Sequence, residues 1–223
     1  MRAPHKLASL RLVAAVLGLA GCTGVLADPS ADPQQLTGDG IYVFATRAVY
    51  GGGELHGVDG ADLLCASAAT RAQLPSVEGR GAVPGAAYHA WLSSVERDLT
   101  GRFKPSARPY KLVDGTAIAG SWSELTDGTL AHAIDLDEYG VQIIDRDDLV
   151  IGGAWTFTQA DATAVPWTDR DSPTASPRQD CDAWTSGAGV GAVGMLHEVS
   201  AAWTYADLAV GCSYPHHLYC FGE

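Results

Sequence analysis

Cysteine is the residue type with the most definite chemistry in this sequence. Cys22 follows Leu19-Ala20-Gly21, so small residues precede it at the end of an apolar run. A thiol at the cleavage site of an export signal can be acylated and become the first residue of the mature chain. Four further cysteines can form two disulfides in an oxidising compartment, and counting alone leaves three connectivities open. These four are Cys65, Cys181, Cys212 and Cys220.

The N-terminal segment has the form of an export signal. Three basic side chains, Arg2, Lys6 and Arg11, precede or border a short apolar run that ends at Ala20. This run is shorter than the ~20 residues that cross a bilayer. With Cys22 at the cleavage point, the segment resembles the lipobox of bacterial lipoproteins. We therefore predict a lipoprotein signal peptide at 1–21 and lipidation of Cys22; an ordinary signal peptide is the alternative.

A polar stretch separates this segment from the first apolar strand pattern. Residues 22–40 contain two Asp-Pro steps and no apolar period, which predicts a flexible tether behind the acylated cysteine. Thr23, rather than Asp, follows the anchor. Under the usual Gram-negative sorting rule this indicates outer-membrane delivery, so the expected location is the cell envelope, facing outward or into the periplasm.

The charge balance excludes several classes of partner. The net charge is −12, and removal of the first 21 residues, with three basic and no acidic side chains, makes it −15. General nucleic-acid binding needs a basic surface, so none is expected. The chain contains no Asn, which removes every N-glycosylation acceptor and the Asn-dependent calcium sugar site of true C-type lectins.

Catalytic and cofactor motifs are weak or incomplete. Gly189–Gly194 matches G-x-G-x-x-G literally, but no helix pattern follows it, so we interpret it as a flexible loop without a dinucleotide. His197-Glu198 lacks the second His of H-E-x-x-H, and no G-x-S-x-G occurs. No Cys-x-x-Cys pair indicates zinc. We therefore predict no catalysis, no metal and no cofactor.

Two acidic runs and a His pair remain as candidate ligands. We expect the acidic runs to be solvated loop faces, with weak calcium binding as the alternative because oxygen-rich loops suit a hard cation. His216 and His217 are adjacent on a predicted strand, so they point to opposite faces and cannot easily chelate one metal. The acidic residues are Asp135, Asp137, Glu138, Asp145, Asp147 and Asp148.

The elements that must position these residues begin near Ile41. A β-branched and aromatic run, 41–46, predicts a strand, and an apolar period from Asp59 to Ala72 predicts a helix that contains Cys65. Further strands are expected at 87–94, 154–158 and 217–221. Asp114-Gly115 predicts a hairpin, and Ser121 with Glu124 predicts a capped short helix. With no repeat or second linker, 41–223 is expected to be one domain.

The ordered series of motifs resembles the endostatin domain of basement-membrane collagens, within the C-type lectin-like fold. The matching pieces lie in the same order across nearly all of 41–222, and the chain is also similar to bacterial lipoproteins built on this domain. The pieces are Gly57-Val58-Asp59-Gly60-Ala61-Asp62 before Cys65, Tyr88 to Ser94, Ser121 to Leu125, Cys181-Asp182-Ala183-Trp184, and Cys212 through Tyr219-Cys220.

The resemblance implies an α+β fold, whereas the function is a separate expectation. The expected fold is a single domain with a mixed antiparallel sheet, one main helix, long loops and nested disulfides Cys65–Cys220 and Cys181–Cys212. The expected function is non-catalytic binding of a glycan or protein ligand without the usual calcium sugar site. A structural envelope component and a secreted hydrolase with an unrecognised site are the alternatives.

Aromatic and basic residues supply the last expectations. Trp91, Trp122, Trp155 and Trp184 are expected in the core, and Trp167 in a polar loop is expected to be exposed. A basic stretch lies between the Trp91 strand and the Trp122 helix, where endostatin is also Arg-rich. We expect a solvated basic loop there; the alternative is an anion-binding patch, with Phe103 or Tyr110 stacking on sugars. Its basic residues are Arg102, Lys104, Arg108 and Lys111.

Overall fold

The computed structural model describes residues 40–75, 88–144, 152–166 and 179–222. These residues form an α+β fold with a sheet at its centre and one long helix. The three helices are α1 (Gly57–Arg71), α2 (Trp122–Leu125) and α3 (Cys181–Trp184), with 3-10 turns at Gly52–Leu55 and Ala201–Trp203. The strands are β1 (Ile41–Ala45), β2 (Tyr88–Ala90), β3 (Tyr110–Leu112), β4 (Ala117–Ala119), β5 (Gly153–Trp155), β6 (Val190–Met195), β7 (Ala209–Gly211) and β8 (His217–Gly222).

The sheet joins the first and last strands of the described domain. Its order is β4-β3-β1-β8-β5-β6-β7, and β2 also pairs with β8. The β1–β8 pair is antiparallel, with Phe44 opposite Cys220, whereas β1–β3 and β5–β8 are parallel. The predicted hairpin at Asp114-Gly115 is confirmed, because β3 and β4 pair on either side of it and Gly115 has φ +92°.

Alternate residues of the central strands enter two separate hydrophobic clusters. In β8, Leu218 and Cys220 face α1, whereas Tyr219 and Phe221 face the other side of the sheet. We call the first group, which includes α1 and the cysteines, the helix-side cluster. We call the second group, centred on Trp91, Trp203, Phe103 and Phe221, the aromatic cluster. Burial on both faces explains why the β1 sequence is continuously apolar.

Two disulfides connect distant parts of the chain. Cys65 of α1 is joined to Cys220 of β8, and Cys181 is joined to Cys212. This is the nested pairing that the resemblance implies. The first bond fixes the long helix to a central strand, and the second fixes α3 to the segment after β7.

The interpretation of Gly189–Gly194 as a flexible loop is wrong. Most of this segment is β6, which pairs with both β5 and β7 inside the sheet. Its glycines are needed for close packing: a Cβ on Gly191 would lie 2.6 Å from the Trp155 ring, and one on Gly194 would lie 2.0 Å from the Trp203 carbonyl oxygen. The glycine spacing therefore reflects contacts from distant residues rather than a phosphate-binding turn.

Among the described residues, no helix is both long enough and apolar enough to cross a membrane. The predictions for Cys22, the tether, Trp167 and the acidic residues Asp145, Asp147 and Asp148 fall outside the described residues.

Candidate functional site

A cleft of about 490 Å³ opens beside the Cys181–Cys212 disulfide. Its volume lies in the range of small-ligand pockets. One wall comes from the 3-10 turn after β1, and the other walls come from the segments that follow α3 and β7. The lining residues are Gly51, Gly53, Glu54, Thr185, Gly187, Cys212, Ser213 and Pro215.

Strained backbone leads directly into this cleft. All four residues of α3 have positive φ, from +50° at Cys181 to +65° at Trp184, so this turn is left-handed. Left-handed conformation costs roughly 1–2 kcal/mol for each residue that is not glycine. The turn is held at both ends: Cys181 by its disulfide, and Trp184 by full burial and a 2.6 Å hydrogen bond from its indole nitrogen to the Ser93 carbonyl oxygen. Such strain is concentrated at functional sites.

The two cleft glycines, Gly53 and Gly187, differ in whether the fold requires glycine at that position. A Cβ on Gly53 would lie 2.5 Å from the Gly187 backbone nitrogen, so the fold requires glycine at position 53. Gly187 has no heavy atom within 4 Å of an added Cβ and does not have positive φ. Neither packing nor backbone conformation therefore requires glycine at 187. Its missing side chain has one structural consequence, which is that this wall of the cleft stays open.

The polar groups of the cleft are one carboxylate and two hydroxyls. Glu54 is exposed, and its Oε2 accepts a 2.7 Å hydrogen bond from the Gly51 amide, which orients the carboxylate. The Thr185 hydroxyl donates to the Asp182 carbonyl oxygen at 2.6 Å and keeps its own oxygen as an acceptor. Ser213 adds a second hydroxyl. This set can exchange hydrogen bonds with a hydroxyl-rich ligand.

An exposed aromatic residue, Tyr214, is the sequence neighbour of two lining residues of the cleft. Tyr214 lies between the lining residues Ser213 and Pro215 and is 50% exposed. An added Cβ on Gly211 would lie 3.1 Å from Tyr214 Cδ2, so the ring packs over the backbone of β7. The ring is thereby fixed on one side and remains accessible to solvent on the other.

The anion-binding patch considered as the alternative does not assemble. The Arg102 side chain is 8% exposed, and its guanidinium donates to Asp62 Oδ1 at 2.5 Å and to the Leu92 carbonyl oxygen at 2.6 Å. It therefore joins α1 to the segment after β2 rather than facing an external anion. Phe103 and Tyr110 are 4% and 2% exposed in the aromatic cluster, so neither can stack on a sugar.

The remaining basic residues of that stretch have contacts of their own. Arg108 donates to the Gly40 carbonyl oxygen at 3.1 Å, and the alkyl chain of Lys111 packs close to the same residue. Lys104 is exposed, and both it and Arg108 take part in further interactions. Arg102, held by its ion pair with α1, is therefore not available to join these three cations on an external anion.

The described acidic run is buried rather than solvated. Asp135, Asp137 and Glu138 are at most 5% exposed. Asp137 Oδ1 accepts from the Tyr139 and Val141 amides and its Oδ2 accepts from Arg47 at 2.6 Å, so this carboxylate holds a tight turn together. The described residues contain no group of three or more His, Cys, Asp or Glu side chains that could hold a metal ion.

Most of the tryptophans predicted to lie in the core are fully buried, and the two adjacent histidines are buried too. Trp91, Trp155 and Trp184 are fully buried, as predicted, whereas Trp122 is half-buried against the aromatic cluster. His216 and His217 are both buried. Burial lowers the pKa of His216 to about 4, with the neighbouring His217 contributing in the same direction.

Sequence reasoning missed the cleft residues. Gly51-Gly52-Gly53 was interpreted only as a strand breaker, and Glu54, Thr185 and Ser213 belong to no motif. No local pattern in Cys181 to Trp184 favours left-handed backbone. The cysteines gave an indirect sequence signal for the cleft, because the disulfide to Cys212 brings together three polar segments that are distant in sequence.

Comparison with known proteins does not identify a family for this chain. No protein-family model matches the chain, and no curated protein matches it significantly.

Proposed function

We propose that this protein is a lipid-anchored, extracytoplasmic binding protein with a C-type lectin-like domain that holds a glycan in the cleft beside Cys181–Cys212, without calcium and without catalysis. The antiparallel pairing of β1 with β8, the long helix and the nested disulfides support the fold assignment. The two disulfides also agree with an exported protein, because such bonds persist outside the cytoplasm.

The observation that carries the binding function is the open glycine at the cleft. Gly187 is exposed and unconstrained, whereas the neighbouring backbone from Cys181 to Trp184 is strained. A cleft wall with a fixed backbone and no side chain on its solvent-facing side is suited to binding a ligand. Among its described lining residues the cleft has one carboxylate, Glu54, whereas most glycosidases use a pair, which favours binding over hydrolysis.

The test is a blocking substitution with a matched control. Gly187→Phe adds a large ring to the wall of the cleft, and Gly101→Phe adds the same ring at an exposed glycine outside the lining, also with no atom within 4 Å of an added Cβ. The full chain should bind a glycan array, and Gly187→Phe should abolish that binding while Gly101→Phe leaves it unchanged. Equal binding by both variants, or binding that disappears on calcium chelation, would contradict the proposal.

The anchor is tested independently. Cys22→Ser should move the protein from the membrane fraction to the soluble fraction, because the acylated thiol is the proposed attachment point. Retention of the variant in the membrane would contradict the lipid anchor and leave the cleft proposal standing. An outer-membrane location predicts that the parent protein fractionates with outer-membrane markers.

A further inference from the structure

We propose that the ligand of the cleft is an electrically neutral glycan, whose hydroxyl groups donate to Glu54 and one of whose rings stacks on Tyr214. This inference rests on the proposed function and goes further by assigning the chemical class of the ligand and the residues that select it.

The charges around the cleft select against an acidic glycan. The lining includes Glu54 and no Lys or Arg. The described segment 179–222, which supplies most of the lining, contains four acidic residues and no Lys or Arg. A sulfated or uronic-acid polymer would therefore meet a carboxylate with no cation to compensate for it, and like charges in close contact are unfavourable.

The geometry of Glu54 suits hydroxyl donors. One carboxylate oxygen is committed to the Gly51 amide, which fixes the orientation of the group and leaves Oε1 to accept from a ligand. A single carboxylate flanked by the Thr185 and Ser213 hydroxyls matches a ring that carries several hydroxyls. An ammonium group gains little more here than a neutral hydroxyl, because an exposed ion pair contributes little.

Tyr214 supplies the apolar contact that a sugar ring needs. Its ring rests on Gly211, where a larger residue would push it away, and half of its surface is open. Aromatic side chains of this kind are rigid and amphipathic, so they offer contact area at low entropic cost. A chain that enters the cleft can continue past the lining residues Ser213 and Pro215 onto this ring.

Matched substitutions separate these roles. Glu54→Gln removes the charge but keeps an acceptor for the Gly51 amide. Glu124→Gln is its control, since Glu124 is also exposed and accepts from the Gly120 amide at 2.7 Å outside the cleft. For the aromatic contact, Tyr214→Ala is paired with Tyr139→Ala, because Tyr139 is exposed to a similar extent, 51%, and is not a sequence neighbour of any lining residue of the cleft.

The measurement is affinity for a panel of hexasaccharides that are neutral, cationic or acidic and include gluco-, manno- and N-acetylglucosamine forms. We expect the tightest binding in the neutral class, with little change between about 50 and 500 mM salt, because screening acts on charged ligands. Glu54→Gln should weaken binding about tenfold and Tyr214→Ala about three- to tenfold, whereas both controls should match the parent.

Each contrary result has a distinct meaning. Preference for an acidic or a cationic hexasaccharide that Gly187→Phe abolishes would overturn the ligand class and preserve the cleft as the binding site. Equal losses in Glu54→Gln and Glu124→Gln, or in Tyr214→Ala and Tyr139→Ala, would overturn the assigned roles. If no member of the panel binds, or if Gly187→Phe has no effect, both the inference and the proposed function are wrong.

Discussion

The helix-side cluster contains all four described cysteines, whereas the aromatic cluster contains none. The first contains both disulfides and the small buried residues of α1, and it also holds aromatic rings such as the Trp155–Trp184 pair. The second has no cross-link and contains aromatic rings with centroids 5.0–6.5 Å apart around Trp91 and Phe221. Two faces of one sheet thus differ in covalent cross-linking, and the candidate cleft lies on the cross-linked side, next to Cys212.

The comparison explains why the cleft can be open. The small side chains of α1, such as Ala61, Ala68 and Ala69, contribute little buried area, and the disulfides add stability to that face. Covalent bonds hold the backbone without filling space beside it. An open cleft next to Cys212 is therefore compatible with a stable cross-linked face.

The largest expected effect comes from breaking the long disulfide. Cys65→Ala with Cys220→Ala opens a loop of 155 residues, and the chain-entropy account gives a loss of about 5 kcal/mol. Cys181→Ala with Cys212→Ala opens a loop of 31 residues and should cost about 4 kcal/mol. Urea unfolding of both double variants measures the difference. A larger loss for the Cys181–Cys212 pair would contradict loop length as the main cause, because relief of strain at α3 would only reduce that loss.

Truncation of one buried side chain in the aromatic cluster should lower stability almost as much as loss of the long disulfide. Trp91 is fully buried, contacts four aromatic rings and donates from its indole nitrogen to the Thr204 hydroxyl at 2.7 Å. Trp91→Ala should therefore cost about 4 kcal/mol. Trp122→Ala is the control on the same cluster and should cost less than half as much, because Trp122 is only half-buried. Similar losses for both would contradict Trp91 as the centre.

The two faces also differ in how far the sequence predicts them. The helix side was predictable, because α1 has a clear apolar period and its cysteines are countable. The predicted helix start at Asp59 is two residues late, since Gly57 begins the helix after His56 adopts a left-handed conformation. On the other face, Trp91 was predicted to be buried, but Phe103 and Tyr110 were expected at the surface because basic neighbours made the segment resemble a polar loop.

The candidate site was the least predictable part, for a physical reason. Glu54, Thr185 and Ser213 meet only because a disulfide and a strained turn bring three loops together, and neither leaves a local pattern. Asp137 is a second example, because the sequence predicted a solvated carboxylate. It is buried because Arg47, 90 residues away, donates a hydrogen bond to it. Contacts over such separations depend on topology rather than on spacing.

Acid should weaken the helix side through His216. Its ring lies 4.4 Å from Trp155, edge to face, and burial lowers its pKa to about 4. Below pH 6.5 the unfolded chain binds a proton that the native ring does not, so stability should fall from pH 6.5 to about 4 by roughly 3 kcal/mol and then level off. His216→Phe should remove this dependence, measured by urea unfolding at each pH. The exposed His132→Gln is the control and should retain the parent profile.

The smallest effect concerns the ion pair that links the two faces. Asp62 of α1 accepts from Arg102, whose neighbour Phe103 belongs to the aromatic cluster, and from the Ala90 amide at 2.8 Å. Burial alone would raise the pKa of Asp62, but the hydrogen bond from His89 and the charge of Arg102 outweigh it, so the pKa is lowered. The carboxylate therefore stabilises the fold above pH 3.8, and this contribution disappears as the pH falls through the native pKa.

Asp62→Asn tests this link. The amide can still accept from Ala90, but it leaves the buried Arg102 without its counter-charge, so the loss at pH 7 should be about 1–2 kcal/mol. Asp59→Asn is the matched control on the same helix, because Asp59 pairs with Arg97 while 79% exposed, and its loss should be close to zero. Urea unfolding should show the Asp62 difference in full at neutral pH, and the difference should shrink as the pH falls below 3.8 through the lowered native pKa, since the parent carboxyl then becomes protonated. An equal loss at neutral pH and in acid would mean that Asp62 acts through packing, and the two faces would then be joined by the sheet and the disulfides alone.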